Sequence, residues 1–173
     1  SNESAIVGVA EISNDLGDVY IMQKDFEKAL ASFKVTYELR KNIATSFESD
    51  ENRRNMAISI SKIGEAHGRM GNDTKLDSLY HERLKINLEA KDTNARATTY
   101  WDWGYQHNVG KNYTVSIRLY KKSIEFIKAI GDKSSVALLQ KNIGSNYYKQ
   151  EKYDDALRFL DNALKNHKEL ALT

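Results

Sequence analysis

The chain has 173 residues, 40% of them apolar, with no proline and no cysteine. That composition allows a sizeable core, argues against disorder and against sheet folds built on proline-rich turns, and excludes disulfides, thiolate metal sites and a cysteine nucleophile. Lys plus Arg is 26 against 24 for Asp plus Glu, so the positive excess that binding to a nucleic-acid backbone requires is missing.

Charge is uneven along the chain, because residues 111–173 hold 12 basic and 7 acidic side chains while the acidic excess lies before them. An acidic partner would be drawn to that end, although a solvated Lys-rich helical surface has the same composition. No apolar run approaches the roughly 18 to 20 residues of a membrane span. Ser1-Asn2-Glu3 has no signal-peptide character, and the natural chain is expected to extend beyond these residues. Absence of cysteine leaves cytosol and periplasm both open, with the cytoplasm favoured.

The first predicted hairpin pairs helices over about 4–22 and 25–45. It carries an apolar-glycine pair, Leu16-Gly17, then Tyr20, a polar turn Gln23-Lys24-Asp25, and Ala29, Phe33 and Thr36. The second, about 52–70 with 73–90, repeats that order as Ile63-Gly64, His67, Gly71-Asn72-Asp73, Leu76, Tyr80 and Arg83. The third, about 94–109 with 112–130, reads Trp103-Gly104, His107, Gly110-Lys111-Asn112, Ser116, Tyr120 and Ser123. The fourth, about 134–149 with 153–171, reads Ile143-Gly144, Tyr147, Gln150-Glu151-Lys152, Ala156, Leu160 and Ala163. Glu51-Asn52-Arg53, Lys91-Asp92-Thr93 and Gly131-Asp132-Lys133 separate the hairpins.

Glycine recurs at intervals of 47, 40 and 40 residues. The seven extra residues, placed near 42–49, amount to about two helical turns and so preserve the facing of the next helix. A glycine inside a helix costs about 1 kcal/mol against alanine, so keeping it four times implies close contact between paired helices, a small residue on one meeting a large one on the other. Asp or Asn in the turns suits the start of the second helix.

These residues resemble the tetratricopeptide repeat family. Leu16-Gly17-Asp18-Val19-Tyr20 followed by Asp25-Phe26-Glu27-Lys28-Ala29-Leu30, and Ile143-Gly144 through Tyr147 followed by Tyr153-Asp154-Asp155-Ala156-Leu157, carry the family's small-and-large signature. The early tryptophan and closing proline of the 34-residue pattern are absent, and the middle two repeats are degenerate. The 40-residue period looks like the longer-helix version of bacterial regulatory and sensor proteins and of kinesin light chains. The resemblance implies an all-α fold, a right-handed superhelical solenoid of four helical hairpins in a single domain over 1–173, with repeats about 10–50, 57–94, 97–134 and 137–173 and the glycine-bearing helices on the concave side.

Catalysis finds no footing in the sequence. His67 and His107 occupy the aromatic packing position, and His81 and His167 lack a nearby i+4 acidic or imidazole partner, so no metal site is expected. Asp154-Asp155 and Asp50-Glu51 stand beside helix starts, where carboxylates stabilise the helix N-terminus. No phosphate-binding loop, dinucleotide fingerprint or nucleophile elbow occurs, and no cofactor is expected. Bacterial sensors of the resembled type include phosphatases acting on response regulators, but there the activity resides in a separate N-terminal bundle for which this chain has no residues left. The carboxylate clamp of chaperone adaptors maps onto Asn14, Asp18, Lys62, Thr98 and Asp102, where two carboxylates would repel the ligand.

The expected function is therefore a protein or peptide interaction module, part of a larger signalling or regulatory protein. The alternatives are a peptide-sensing domain controlling an attached output domain, and a structural homodimerisation module. By resemblance, positions three before, one after, four after and five after each glycine face the groove. They are Asn14, Asp18, Ile21 and Met22; Ser61, Glu65, Gly68 and Arg69; Trp101, Tyr105, Asn108 and Val109; and Lys141, Ser145, Tyr148 and Lys149. Trp101, Tyr105 and Tyr148 would form an aromatic platform flanked by Asn108, Lys141 and Lys149, suited to a peptide with an apolar anchor beside an acidic group. The competing reading has Trp101 packing between repeats, while Trp103 is expected in the core. Helix 153–171 carries Ala156, Leu157, Phe159, Leu160, Ala163, Leu164 and Leu170, a wider apolar arc than one partner helix needs, so further chain or a dimer contact is expected there.

Overall fold

The computed structural model describes residues 2–172, which form eight helices and, among the described residues, no strand. They are α1 (Asn2–Met22), α2 (Phe26–Ser46), α3 (Asp50–Arg69), α4 (Asp73–Glu89), α5 (Thr93–Val109), α6 (Tyr113–Ala129), α7 (Lys133–Lys149) and α8 (Tyr153–Ala171). Ser1 and Thr173, the outer limits of the expected domain, lie outside the described residues. Every predicted hairpin is present, with helix ends within two residues of their expected places.

Two compact units meet in sequence at Lys91 and Asp92. In the N-terminal unit α1 packs on α2, α2 on α3 and α3 on α4; in the C-terminal unit α5 packs on α6, α6 on α7 and α7 on α8. Ala29, Phe33, Ile63 and Ala66 centre the first core. Ile117, Tyr120, Ile124, Leu139 and Ile143 centre the second.

The repeat glycines do what their spacing implies. A Cβ on Gly64 would stand 2.8 Å from the Tyr80 ring, on Gly104 2.7 Å from Tyr120, and on Gly144 2.8 Å from Leu160; on Gly17 it would overlap Phe33. Each is the large residue of the same hairpin, so close approach of first and second helices is the reason for glycine. The third register position has a partner that spacing did not reveal. Thr36 Oγ1 donates to the Ala10 carbonyl at 3.2 Å and Ser123 Oγ to the Ala97 carbonyl at 2.8 Å, each tying a second helix to its first. At the equivalent place Arg83 donates to the Ser61 hydroxyl.

The seven extra residues are absorbed as roughly one more turn on each of two helices, since α2 has 21 residues and α3 has 20 where α4 to α7 have 17. Turns within hairpins share one conformation. Lys24, Gly71, Lys111 and Glu151, each seven residues past its repeat glycine, adopt positive φ of 61 to 72°. Asp25, Ser49, Asp92 and Asp132 cap the helices that follow by accepting a backbone N–H.

His67 and His107 are buried at equivalent positions, and burial, helped by Lys75 and Lys34, holds the His67 pKa below its ordinary value. The first and last hairpins in the sequence depart from the register in one respect. Leu16 and Leu160 are exposed, whereas their counterparts Ile63, Trp103 and Ile143, and Phe33, Tyr80 and Tyr120, are buried.

Candidate partner-binding face

First helices carry the expected groove residues, and each unit arranges its own differently. In the N-terminal unit, Asn14, Asp18, Glu65 and Arg69 come together around a residue the groove pattern passed over, Lys62. Its ammonium lies 2.6 Å from Asp18 Oδ1 and 4.0 Å from Glu65, and 5.7 Å from the centre of the Phe33 ring. Asn14 Nδ2 donates to Asp18 at 3.3 Å, and Arg69 pairs with Glu65 at 3.4 Å. The acidic character read at this end is thus neutralised within the face. Ile21 packs on the core and Gly68 is buried, so neither is available to a ligand, whereas Met22 is exposed.

In the C-terminal unit, Trp101 is half-buried and packs on the core cluster of α5, α6 and α7. Trp103 is buried and stacks with Tyr100, 6.3 Å between ring centres, as expected of a core residue. Tyr105 and Tyr148 are exposed, and Tyr148 lies 6.0 Å from the ring of Tyr153 rather than against Trp101. Lys149 reaches Asn108 Oδ1 at 3.3 Å and sits 5.1 Å from the centre of the Tyr113 ring. Lys141 is exposed. Among the described residues neither Lys141 nor Lys149 has a carboxylate partner. Tyr113 is the residue sequence reasoning missed; as first residue of α6 it lies outside a pattern drawn on first helices alone.

Polar order within this unit is also set by pairs remote in sequence. Asn146 Nδ2, wholly buried, donates to Ser116 Oγ at 2.9 Å and joins α7 to α6. Burial pushes the Tyr120 phenol up to about 12, so its hydroxyl stays protonated beside the face at any physiological pH. No group of three or more His, Cys, Asp or Glu side chains placed to hold a metal occurs among the described residues. No helix among them is long and apolar enough to cross a membrane.

Helical hairpins packed through a glycine against a large side chain define, in each unit, an all-helical repeat scaffold of the kind that serves protein–protein interaction. Residues 95–169 match the family model described as Tetratricopeptide repeat. Before residue 95 the likeness is one of fold. Aspartyl phosphate phosphatase F from Bacillus subtilis superposes with a TM-score of 0.71 at 15% identity, over 94% of this chain and 41% of that one. RapI in its apo form gives 0.68 at 13% identity, over 95% of this chain and 57% of that one. A putative kinesin light chain from Podosopora anserina with nearly identical TPR-like repeats gives 0.67 at 10% identity, over 92% and 75%. The chain therefore spans about half the length of the first two. No curated protein sequence matches it.

Proposed function

We propose that the chain is the peptide-binding part of a larger regulatory protein, and that the peptide sits on the first-helix face of the C-terminal unit. The observation that carries this reading is the contrast in pairing. Asp18 and Glu65 are already matched by Lys62 and Arg69, whereas among the described residues Lys141 and Lys149 have no carboxylate partner, and Lys149 directly follows exposed Tyr148 on α7. A ligand carboxylate at Lys149 gains a charge-assisted bond without breaking an ion pair, Asn108 supplies an amide beside it, and Trp101, about two turns earlier on α5, offers an apolar edge roughly 10 Å away. The ligand class is a short peptide with an aliphatic or aromatic anchor beside Asp or Glu. A regulatory setting is supported by the fold likeness to a phosphatase of which this chain spans 41%, and by the resemblance to bacterial sensor repeats.

Selection from a random peptide library on the immobilised chain tests it. The enriched sequences should place an apolar residue beside an acidic one, and their capture should fall with Lys149→Ala and Trp101→Ala but not with Asp18→Asn. Basic consensus peptides, or capture indifferent to Lys149 and Trp101, would falsify the assignment. A second reading, self-association through the C-terminal helix, is favoured by the exposed Leu157 and Leu164 of α8.

A further inference from the structure

The fourth hairpin departs from the repeat at a pair of positions outside the proposed peptide face. In the third hairpin Tyr100 of α5 and Phe126 of α6 stack, 5.7 Å between ring centres, and in the second the same register holds Ile60 and Ile86. In the fourth it holds two amides, Gln140 of α7 and Asn166 of α8, with Asn166 Nδ2 donating to Gln140 Oε1 at 2.7 Å. Those amides line an open cavity of about 580 Å³ formed by α6, α7, α8 and the turn between α6 and α7, with the buried Val136 as its apolar part. Lys128 of α6, Lys133 at the start of α7 and Lys165 of α8 converge on it from three different helices. Among the described residues none of the three has a carboxylate partner. Of the two carboxylates that also line the cavity, Asp132 is engaged in capping α7, where it accepts the Ser135 N–H at 3.0 Å, and Glu169 remains against the three ammonium groups. The cavity side of α8 is not its exposed leucine stripe: at 3.6 residues per turn Asn162 and Asn166 each lie about 160° round the helix from Leu164. What covers Leu157 and Leu164 therefore does not decide whether the cavity is open.

We propose that this cavity binds a small phosphomonoester of nucleoside monophosphate size. The site shares no residue with the proposed peptide face and is independent of it. Size supports the assignment, because small-molecule sites run to about 300 to 1,000 Å³ and inorganic phosphate alone would leave most of this space to water. Charge supports it too. A phosphomonoester carries about −1.5 to −2 at neutral pH on three acceptor oxygens, and three lysines meet it as point charges without giving up an ion pair. A single peptide carboxylate would match one of the three. The amide bridge accounts for the rest of the ligand: with Gln140 Oε1 and Asn166 Nδ2 bonded to each other, Gln140 still carries N–H donors and Asn166 an acceptor oxygen, the pair of functions that the edge of a nucleobase presents in return. The second and third hairpins, with Ile60 and Ile86 or Tyr100 and Phe126 in these places, have no such pair.

Titration calorimetry of the chain with the four common ribonucleoside 5′-monophosphates tests the site, with inorganic phosphate and the four nucleosides titrated alongside. At least one nucleotide should bind, with inorganic phosphate and its own nucleoside weaker by about tenfold or more, since each supplies half of the contacts. Lys128→Ala and Lys165→Ala, both at exposed positions, should each weaken that nucleotide by about tenfold with helical circular dichroism intact. Gln140→Ile combined with Asn166→Ile, which restores the pair of the second hairpin, should abolish the preference for nucleotide over phosphate; Gln140→Leu alone serves should the double variant lose helicity. Lys149→Ala, on the peptide face, should leave nucleotide binding unchanged. No binding of any nucleotide at millimolar concentration would overturn the proposal, and so would inorganic phosphate binding as tightly as the nucleotides, which is the behaviour of a cationic patch without a site. Loss of binding in Lys149→Ala but not in Lys165→Ala would overturn its placement. Saturable binding of an oligoglutamate peptide, lost in Lys165→Ala and accompanied by no nucleotide binding, would give the cavity to a protein partner instead.

Discussion

The first-helix faces of the two units occupy the same register positions and have opposite chemistry. In the N-terminal unit, Asp18 and Glu65 meet Lys62 and Arg69, and the face is satisfied within itself. In the C-terminal unit, Lys149 is held, among the described residues, by the Asn108 amide oxygen and the Tyr113 ring, and Tyr105 and Tyr148 are open to water. A ligand approaching the first face must separate existing ion pairs, while at the second it adds a counter-ion to a cation that has none. Side-chain pairing is thus what separates the face proposed to receive a peptide from the one whose charges are already matched.

The largest effect that sharpens the comparison is expected within α5. Trp103→Ala removes a buried ring stacked on Tyr100 and should cost about 3 to 5 kcal/mol of stability in denaturant melts. Trp101→Ala should cost less, because part of that ring already faces water, and should instead weaken capture of selected peptides by about 2 kcal/mol in titration calorimetry. Equal stability losses with no binding defect at Trp101 would make it a packing residue only. Packing of Trp101 on the core, the competing reading of the sequence, means that its removal also lowers the melting temperature.

Charge removal comes next. Asp18→Asn should change stability by less than about 1 kcal/mol, since the pair is partly solvated, and leave peptide capture unchanged. Lys149→Ala should weaken capture, and added salt should weaken capture by the unaltered chain more than by the variant. Reversal of these two results would move the receptive face to the N-terminal unit.

Turn conformation offers a smaller and reciprocal effect. Gly71 and Lys111 hold equivalent places with φ of 72° and 63°. Lys111→Gly should stabilise the C-terminal unit and Gly71→Lys destabilise the N-terminal one, each by about 0.5 to 1 kcal/mol, because only glycine takes this conformation without a Cβ penalty. The smallest difference is one of pH. Folding lowers the His67 pKa from 6.5, so in weakly acidic solution the unfolded chain binds the proton first. Stability from this group is complete above pH 6.5 and declines as pH falls through the folded value. His67→Tyr, which places there the residue found at the equivalent Tyr20 and Tyr147, should flatten that part of the melting-temperature profile.

Much of the fold was legible because its signals are local. Glycine at a fixed spacing from Phe33, Tyr80, Tyr120 and Leu160 specifies a helical hairpin through steric fit, and Asp25, Asp92 and Asp132 mark helix starts by the bond their side chains can make. From these, the sequence by itself determined the number of helices among the described residues and their ends, and so which residues share each first-helix face. Only tertiary structure decided what happens on those faces. Lys62 stands one position outside the groove pattern and Asp18 lies 44 residues before it, so nothing in local spacing shows that they pair. Leu16 and Ile143 read alike in sequence, yet one is open and the other sealed, because burial depends on whether a second helix lies over the residue and not on the residue itself. Charge pairing and apolar burial are both set by which helix stands beside which, and that is a property of the assembled repeats rather than of any one of them.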